Sequence, residues 1–247
     1  MPNDPLDFTG RRVLVVGGSS GIGNGIAQAF RSRGAEVEVW GTRVAATDYA
    51  QEPGSDLDGL RYRSVDVADD EAVERAAAAT DRLDVLVLSQ GVVLYRRGEY
   101  EMAGFRRVVD VNLGSVMACC TAFHPLLEAS RGSVIVVSST AAFHATRGNP
   151  AYAASKAGAV GLVRTLADAW AGGGVRVNGI APGFVATKMT RVTVEDPKRL
   201  AAALQRIPAG RLGTPDDMAG AALFLASPLA AYVVGHTIPV DGGLLLG

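Results

Sequence analysis

The sequence predicts one α/β domain over residues 1–247, a doubly wound Rossmann-type parallel sheet with helices on both faces. Three observations support this prediction. Short apolar, β-branched runs alternate with helical patterns along the whole chain, no change in composition marks a domain linker, and a glycine-rich turn joins the first run to the first helix. Strands that alternate with helices form parallel sheets with right-handed crossovers. In such a sheet, ligands bind at the carboxyl ends of the strands.

The elements follow in order from hydrophobic periodicity and from breaker residues. The predicted strands cover 12–16, 36–40, 62–67, 85–88, 134–138, 175–180 and 236–240. The predicted helices cover 24–33, 71–79, 105–128, 152–170, 197–206 and 216–226. Residues 85–88 are continuously apolar, as a strand buried on both faces should be. Residues 44–60 are polar and unpatterned, which indicates a loop with at most a short helix.

Composition excludes several classes of protein. A hydrophobic fraction of 48% supports a large core, and a net charge of −1 gives no support for a nucleic-acid or anionic-membrane partner. The two cysteines, Cys119 and Cys120, are adjacent, which excludes a disulfide framework and favours buried free thiols over a metal site. The N-terminal segment has neither a basic region nor an apolar stretch, so we expect no signal peptide and a cytoplasmic protein.

The glycine-rich turn is the first functional motif. Glycines at 17, 21 and 23 allow the backbone to turn tightly and to approach a pyrophosphate at the helix N-terminus. The predicted cofactor-binding residues of this turn are Gly17, Ser19, Ser20, Gly21, Ile22 and Gly23.

A second motif joins the end of the fifth strand to the start of the next helix. Tyr152 and Lys156 are four residues apart, so they lie on one face of a helix. An ammonium group beside a phenol favours the phenolate and should lower the tyrosine pKa. Ser139, at the strand end, could polarise a carbonyl oxygen near the same phenol. This combination suits proton transfer to an alkoxide while a nicotinamide delivers hydride.

Together these motifs make the chain resemble a short-chain dehydrogenase/reductase. The resemblance covers essentially the whole chain in order, from the glycine turn through Val111-Asn112-Leu113-Gly114, Ser139, Tyr152-x-x-x-Lys156 and Pro182-Gly183-x-x-x-Thr187 to the segments at 210–217 and 240–243.

The resemblance implies a role for each catalytic residue. Tyr152 would move the substrate proton, and Ser139 would hold the carbonyl oxygen. Lys156 would lower the tyrosine pKa and bind the nicotinamide ribose, and Asn112 would position a water relay. Further cofactor-binding residues implied by the family are Asp66, Val67, Gly91, Tyr152, Lys156, Pro182, Gly183, Val185 and Thr187.

The chain departs from the family pattern at two places. The Thr that usually precedes the glycine turn is Val16, and the family's Asn-Asn-Ala-Gly is Leu88-Ser89-Gln90-Gly91. Gly91 retains the close approach to the cofactor, but the Asn contacts that stiffen the sheet are missing.

The end of the second strand bears on the choice of cofactor. An acidic residue there would bind the ribose hydroxyls of NAD and repel a 2′-phosphate. Thr42 and Arg43 provide no carboxylate and one guanidinium, which pairs well with phosphate. The sequence therefore slightly favours NADP(H) over NAD(H).

We expect the substrate to lie under a lid at about 187–210. The predicted pocket residues are Val93, Leu94, Phe143, His144, Phe184 and Met189. Their apolar character favours a hydrophobic or cyclic carbonyl compound. The family usually forms tetramers or dimers, and small residues in the helix at 152–170 suit close packing between subunits: Ala153, Ala157, Ala159 and Gly161.

The predicted function is interconversion of a ketone and a secondary alcohol with NAD(P)(H). One alternative is reduction of a 3-oxoacyl group on a carrier protein, but an acidic carrier needs a basic patch and the loop 171–174 offers none. A non-catalytic dinucleotide-binding regulator is the alternative from another class. Retention of the Asn, Ser, Tyr and Lys residues argues against it.

Overall fold

A computed structural model describes residues 4–247 of the chain. Residues 1–3, which belong to the predicted domain and to the N-terminal segment, lie outside the described part. Its strands are β1 (Arg12–Val16), β2 (Glu36–Gly41), β3 (Arg61–Ser64), β4 (Val85–Leu88), β5 (Ser133–Val137), β6 (Arg176–Pro182) and β7 (Thr237–Val240). They form one seven-stranded sheet in the order β3-β2-β1-β4-β5-β6-β7. Every pair of neighbours is parallel. The predicted doubly wound fold is confirmed.

Helices cover both faces of this sheet. They are α1 (Gly21–Ser32), α2 (Asp70–Ala78), α3 (Met102–Val109), α4 (Ser115–Ser130), α5 (Pro150–Trp170), α6 (Arg191–Val194), α7 (Pro197–Gln205) and α8 (Pro215–Ala226). Buried side chains of α2, α4 and α5 form the core on one face, and those of α1 and α8 form the core on the other. Within residues 4–247, no helix is both long enough and apolar enough to span a membrane.

The helix predicted over 105–128 is present, but its α-helical hydrogen bonding is interrupted by a wider turn. The chain forms α3, then a π-helical turn at Asp110–Gly114, and then α4. The wide turn contains Asn112, whose amide group is completely buried and binds the backbone of Val92. Because π-helical turns inside helices commonly occur at functional sites, this interruption singles out Asn112.

One residue offered for contact between subunits is also corrected. Ala159 is only 1% exposed and belongs to the core between α5 and the sheet, so it cannot face another subunit. Ala157 and Gly161 are exposed.

The crossover between β2 and β3 has no full helix. After a short 3₁₀ turn at Ala46–Tyr49, residues 50–56 form an ordered strap against the start of α1. Asn24 Nδ2 donates to Asp56 O at 2.7 Å, and Asp56 N donates back to Asn24 Oδ1 at 2.9 Å. The Gly21 N–H donates to Gly54 O at 2.8 Å. The segment at 44–60 is a loop, as predicted, but it is held in one place.

The strand order reverses direction between β1 and β4. After β3 the chain crosses to the other side of β1, which leaves a crevice at the carboxyl ends of β1 and β4. Such a switch point is where open α/β sheets bind ligands.

Candidate active site

A cleft of about 1600 Å³ opens at this edge of the sheet. Every residue predicted to bind the cofactor lines it: Gly17, Ser19, Ser20, Gly21, Ile22, Gly23, Thr42, Arg43, Asp66, Val67, Gly91, Tyr152, Lys156, Pro182, Gly183, Val185 and Thr187. The structure therefore brings together side chains that are separated by as many as 170 residues in sequence. A cavity of this size accommodates a dinucleotide and a small substrate.

The glycine turn is shaped by close backbone contacts. Gly17 has φ +73°, and a Cβ atom there would lie 2.7 Å from the Gln90 nitrogen. A Cβ at Gly23 would lie 2.3 Å from the Gly17 carbonyl oxygen. These contacts hold the N-terminus of α1 against the cleft, where its positive end suits a pyrophosphate. The turn therefore fits the dinucleotide that the sequence implies.

Lys156 lies at the bottom of the cleft and is only 5% exposed. Its ammonium group donates to the Val137 carbonyl oxygen at 2.8 Å. Burial disfavours the charged form and lowers the pKa of Lys156 to about 8. A lysine with this pKa can exchange a proton near neutral pH.

Tyr152 lines the same cleft one helical turn earlier, but its pKa is raised rather than lowered. Burial is the main cause; the charges of Tyr95 and Glu99 add to it, and the Ser139 hydroxyl opposes it. The Lys156 ammonium lies 5.8 Å from the centre of the tyrosine ring and binds Val137 instead. Lys156 is thus not among the groups that shift this pKa, in contrast to the prediction that it depresses it.

Ser139 lies two residues after the end of β5 and caps a short 3₁₀ turn at Thr140–Ala142. Its hydroxyl oxygen accepts a hydrogen bond from the Ala141 N–H at 3.1 Å. Ser139 lines the cleft, where its hydroxyl can donate to an oxygen atom.

Asn112 lies behind the cleft wall instead of in it. Its Oδ1 accepts from Val92 N at 2.7 Å, and its Nδ2 donates to Val92 O at 2.9 Å and to Ser155 Oγ at 3.2 Å. A Cβ at Gly91 would lie 3.4 Å from Asn112 Oδ1 and 3.5 Å from Lys156 Nζ. Asn112 thus fixes the loop after β4 beside the lysine.

The end of the cleft near β2 contains a carboxylate that the sequence analysis missed. Glu52 of the strap pairs with the Arg43 guanidinium and accepts from Lys188 Nζ at 3.1 Å. Arg43 also stacks on the Tyr49 ring, 4.4 Å from its centre. The Lys188 hydrogen bond and the two cations hold the pKa of Glu52 below its usual value. Glu52 could not be assigned to this site from the sequence, because it lies well beyond the end of β2. The strap brings it back to the cleft.

The structure brings one of the six predicted pocket residues to the cleft that contains the glycine turn. Met189 lines the cleft, whereas Phe184 lines a separate small cavity with Asp241 and Gly242. Leu94 packs against α3, since its Cδ1 would lie 3.1 Å from a Cβ at Gly104. The other three predicted residues do not line the cleft either: Val93, Phe143 and His144. Phe143 is 45% exposed.

The start of the predicted lid contacts both sides of the cleft. Lys188 binds Glu52 of the strap, and the Met189 carbonyl accepts from the Tyr95 hydroxyl in the loop after β4. The segment that follows contains α6 and α7, the latter in agreement with the helix predicted at 197–206.

The two cysteines do not line the cleft. Cys119 and Cys120 are completely buried, and burial raises both thiol pKa values, that of Cys119 to about 12. Across residues 4–247, no group of three or more His, Cys, Asp or Glu side chains is arranged to hold a metal ion.

Comparison with known proteins identifies the family of this chain. Residues 16–245 match the family model described as enoyl-(acyl carrier protein) reductase. The chain is 36% identical to the 3-oxoacyl-[acyl-carrier-protein] reductase of Chlamydia muridarum, over 95% of this chain and 97% of the relative. The chain belongs to the short-chain dehydrogenase/reductase family. Members of this family are NAD(P)-dependent enzymes that act on alcohol and ketone groups.

Two further relatives show the range within the short-chain dehydrogenase/reductases. The chain is 39% identical to galactitol 2-dehydrogenase (L-tagatose-forming) of Cereibacter sphaeroides, over 95% of this chain and 94% of the relative. It is also similar to a crystal structure of a candidate NAD(P)-dependent gluconate 5-dehydrogenase from Beutenbergia cavernae with NADP at low occupancy. That structure has a TM-score of 0.89 and 39% identity, and the match covers 99% of this chain and 100% of the other.

Proposed function

We propose that this short-chain dehydrogenase/reductase interconverts a ketone and a secondary alcohol through Ser139, Tyr152 and Lys156, with Asn112 supporting them. The observation that carries the proposal is that the three side chains line the same cleft as the glycine turn. A non-catalytic regulator would have no need for a lysine with a pKa of about 8 one helical turn from a tyrosine in the same cleft.

Each residue has a defined part in the chemistry. The nicotinamide, when bound, supplies or accepts the hydride. The Ser139 hydroxyl holds the substrate oxygen, and the Tyr152 hydroxyl gives it a proton during reduction or takes one during oxidation. Lys156 restores the proton on Tyr152 and binds the ribose of the nicotinamide half. Asn112 keeps the loop beside Lys156 in place for a water relay.

For the cofactor, NADP(H) is slightly favoured over NAD(H). Arg43 and Lys188 place two cations at the end of the cleft near β2, against the single carboxylate of Glu52. A 2′-phosphate would compete with Glu52 for both cations. The NADP bound in the Beutenbergia relative supports the same preference.

The substrate proposed here is more polar than the sequence suggested. Five of the six predicted pocket residues do not line the cleft. The gluconate and galactitol dehydrogenases among the relatives favour a polyhydroxylated compound such as a sugar acid.

A second candidate is reduction of a 3-oxoacyl group on an acidic carrier protein. The 36% identity with the Chlamydia reductase favours it. Against it, an acidic carrier needs a basic patch, and the Gly172–Gly174 turn contributes no cation. The turn lies instead beside the Glu128 carboxylate, which would be 2.6 Å from a Cβ at Gly173. A panel containing gluconate, galactitol and acetoacetyl-coenzyme A separates the two candidates by their kcat/KM.

We also propose the oligomeric state, the cellular location and the lid of the enzyme. Exposed Ala157 and Gly161 of α5 support a homodimer or homotetramer, and two buried free thiols suit the cytoplasm. Residues 187–210 would act as the substrate lid.

The experiment that tests the function is Tyr152→Phe, which removes only the hydroxyl. We expect turnover to fall at least about 100-fold, because a proton-transfer group is lost. NADPH binding, followed by fluorescence titration, should stay within about twofold, since a lost neutral hydrogen bond changes affinity little. Tyr100→Phe, at an exposed tyrosine outside the cleft, is the control. Unchanged turnover in Tyr152→Phe would refute the proposed mechanism.

A further inference from the structure

Glu99 is the most deeply buried carboxylate near the reaction centre, at 1% exposure, yet the proposed mechanism does not use it. It belongs to a short 3₁₀ turn at Gly98–Tyr100 in the segment between β4 and α3. The chain enters this turn through Arg96 and Arg97, which both have left-handed φ angles of 55° and 63°. Such angles are costly for residues other than glycine, so surrounding contacts must hold the turn in this shape.

The carboxylate joins two segments of the active site. Its Oε2 accepts from the Tyr152 N–H at 2.9 Å. Its Oε1 accepts from Leu94 N at 3.1 Å and from Asn149 Nδ2 at 3.3 Å. Tyr152 is the third residue of α5, so its N–H has no partner within the helix, and Glu99 supplies one.

A buried carboxylate is costly unless charges or hydrogen bonds compensate for it. Among the ion pairs of residues 4–247, none includes Glu99, and Arg106 and Arg107 of the adjacent α3 are exposed. The compensation comes from the three donors and from the positive N-terminal end of α5. These contacts hold the carboxylate against the amino end of α5, next to Tyr152.

We propose that Glu99 is a positioning residue for Tyr152, fixing the amino end of α5 to the loop after β4 so that the phenol stays in reach of the substrate oxygen. The same loop carries Tyr95, whose hydroxyl binds the Met189 carbonyl of the lid. Glu99 thus links the catalytic helix to the loop that contacts the lid. The inference rests on the proposed function, because it assigns Tyr152 as the proton-transfer group.

The charge of Glu99 gives the proposal a signature that a purely structural role lacks. The groups that face the Tyr152 phenol are Ser139 after β5, Tyr95, Glu99 and Lys156 of its own helix. Burial, Tyr95 and Glu99 raise the pKa of Tyr152, so a neutral residue at position 99 lowers it. Alcohol oxidation needs the phenolate, and its rate rises with pH through this pKa. Loss of the negative charge at position 99 therefore moves the acid limb of the pH–rate profile, where the rate rises with pH, to lower pH.

Three variants separate geometry from charge. Glu99→Gln keeps the size but loses the charge and replaces one acceptor oxygen with an amide that cannot accept. We expect its acid limb to move down by roughly half a unit or more, from the Coulomb interaction of two nearby groups. Glu99→Asp keeps the charge and should leave the limb in place. Glu99→Ala should lower kcat about tenfold or more through misplacement of the phenol, with KM for the dinucleotide unchanged.

The matched control is Glu101→Gln, an exposed glutamate two residues along the chain. It should leave kcat, KM and the pH profile as in the wild type. Glu99 variants whose kcat and acid limb equal those of the wild type would overturn the proposal, even if their melting temperatures fall. If Glu99→Gln does not fold, Glu99→Asp provides the test. The proposal then requires a lower kcat and an acid limb at the same pH as in the wild type.

A direct titration keeps this test separate from the proposed function. The ultraviolet difference between each protein and its Tyr152→Phe derivative reports ionisation of that one phenol without turnover. Wild-type protein that oxidises no alcohol in a broad panel would remove the proposed function, and the titration would still read the influence of Glu99. An active wild type with the same phenol pKa in Glu99→Gln would overturn the Glu99 proposal alone.

Discussion

Glu52 shows how one side chain can alter the balance of charge in a binding site. Arg43 after β2 suggests a 2′-phosphate site, yet the strap brings a carboxylate into contact with the same guanidinium. Lys188 approaches this carboxylate from the other side, so the three groups carry one net positive charge. A phosphate that displaces Glu52 would gain two cations and would also meet the repulsion of the displaced carboxylate.

Substitutions in this cluster should change cofactor preference rather than dinucleotide binding in general. We expect Arg43→Ala to weaken NADPH binding about tenfold, the effect of losing a charged hydrogen bond, and to leave NADH binding almost unchanged. Glu52→Gln should strengthen NADPH binding severalfold, because both cations become free and a like charge is removed. Fluorescence titration with NADH and NADPH measures both effects.

The control for this pair is Arg75→Ala, at an exposed arginine of α2 whose partners, Asp69 and Glu71, lie on the same surface. Equal effects of Arg43→Ala on the two dinucleotides would show that the guanidinium does not read the 2′-phosphate. An NADPH-to-NADH affinity ratio in Glu52→Gln equal to that of the wild type would show that the carboxylate does not influence the choice.

At the scale of single elements, α1 and its preceding turn carry the dinucleotide site. The turn depends on glycine for packing as well as for ligand approach, since a Cβ at Gly23 would meet the Gly17 carbonyl at 2.3 Å. Backbone atoms cannot move aside as a flexible side chain can. The start of α1 and the end of β1 would have to separate.

We expect Gly23→Ala to abolish measurable dinucleotide binding and to lower the melting temperature. Gly220→Ala is the matched control, because Gly220 lies inside α8 and no atom lies within 4 Å of its ideal Cβ position. That substitution should stabilise the fold by up to about 1 kcal/mol through helix propensity. Thermal melts and titration with NADPH test the pair. Gly23→Ala with wild-type affinity would show that the turn adapts without loss.

The elements also show what the sequence could predict and what it could not. The strands and most helices follow from local pattern, as in the continuously apolar β4. The π-helical turn between α3 and α4 was not predicted; its Asn112 hydrogen-bonds to Val92, 20 positions away, which a local pattern does not show.

The same distinction applies to the site. The cofactor residues near the glycine turn and the strand ends were predictable, because parallel strands end at one edge of the sheet. The positions of Glu52, Leu94 and Phe184 were not, since packing decides which side of a loop faces the cleft. The raised pKa of Tyr152 also escaped prediction, because helical spacing gives no information on burial.

On the scale of the whole molecule, the cleft draws residues from the ends of β1, β2, β4, β5 and β6. Both cores contact the same sheet, with α4 and α5 on one side and α1 and α8 on the other. A ligand in the cleft therefore contacts elements from both layers. This arrangement favours one cooperative folding unit over separate dinucleotide and substrate units.

Unfolding should accordingly occur in one transition that a dinucleotide shifts as a whole. At 100 times its Kd, a ligand that binds only the native state adds about 2.7 kcal/mol, which for a chain of this size raises the Tm by about 5–10 °C. Calorimetry with and without NADPH measures the shift, and Gly23→Ala, which should not bind, is the control that should show none. Two separate transitions, only one of which moves with NADPH, would contradict a single domain. A single transition that NADPH does not move would instead contradict the dinucleotide site, because any ligand bound to the native cleft must stabilise it.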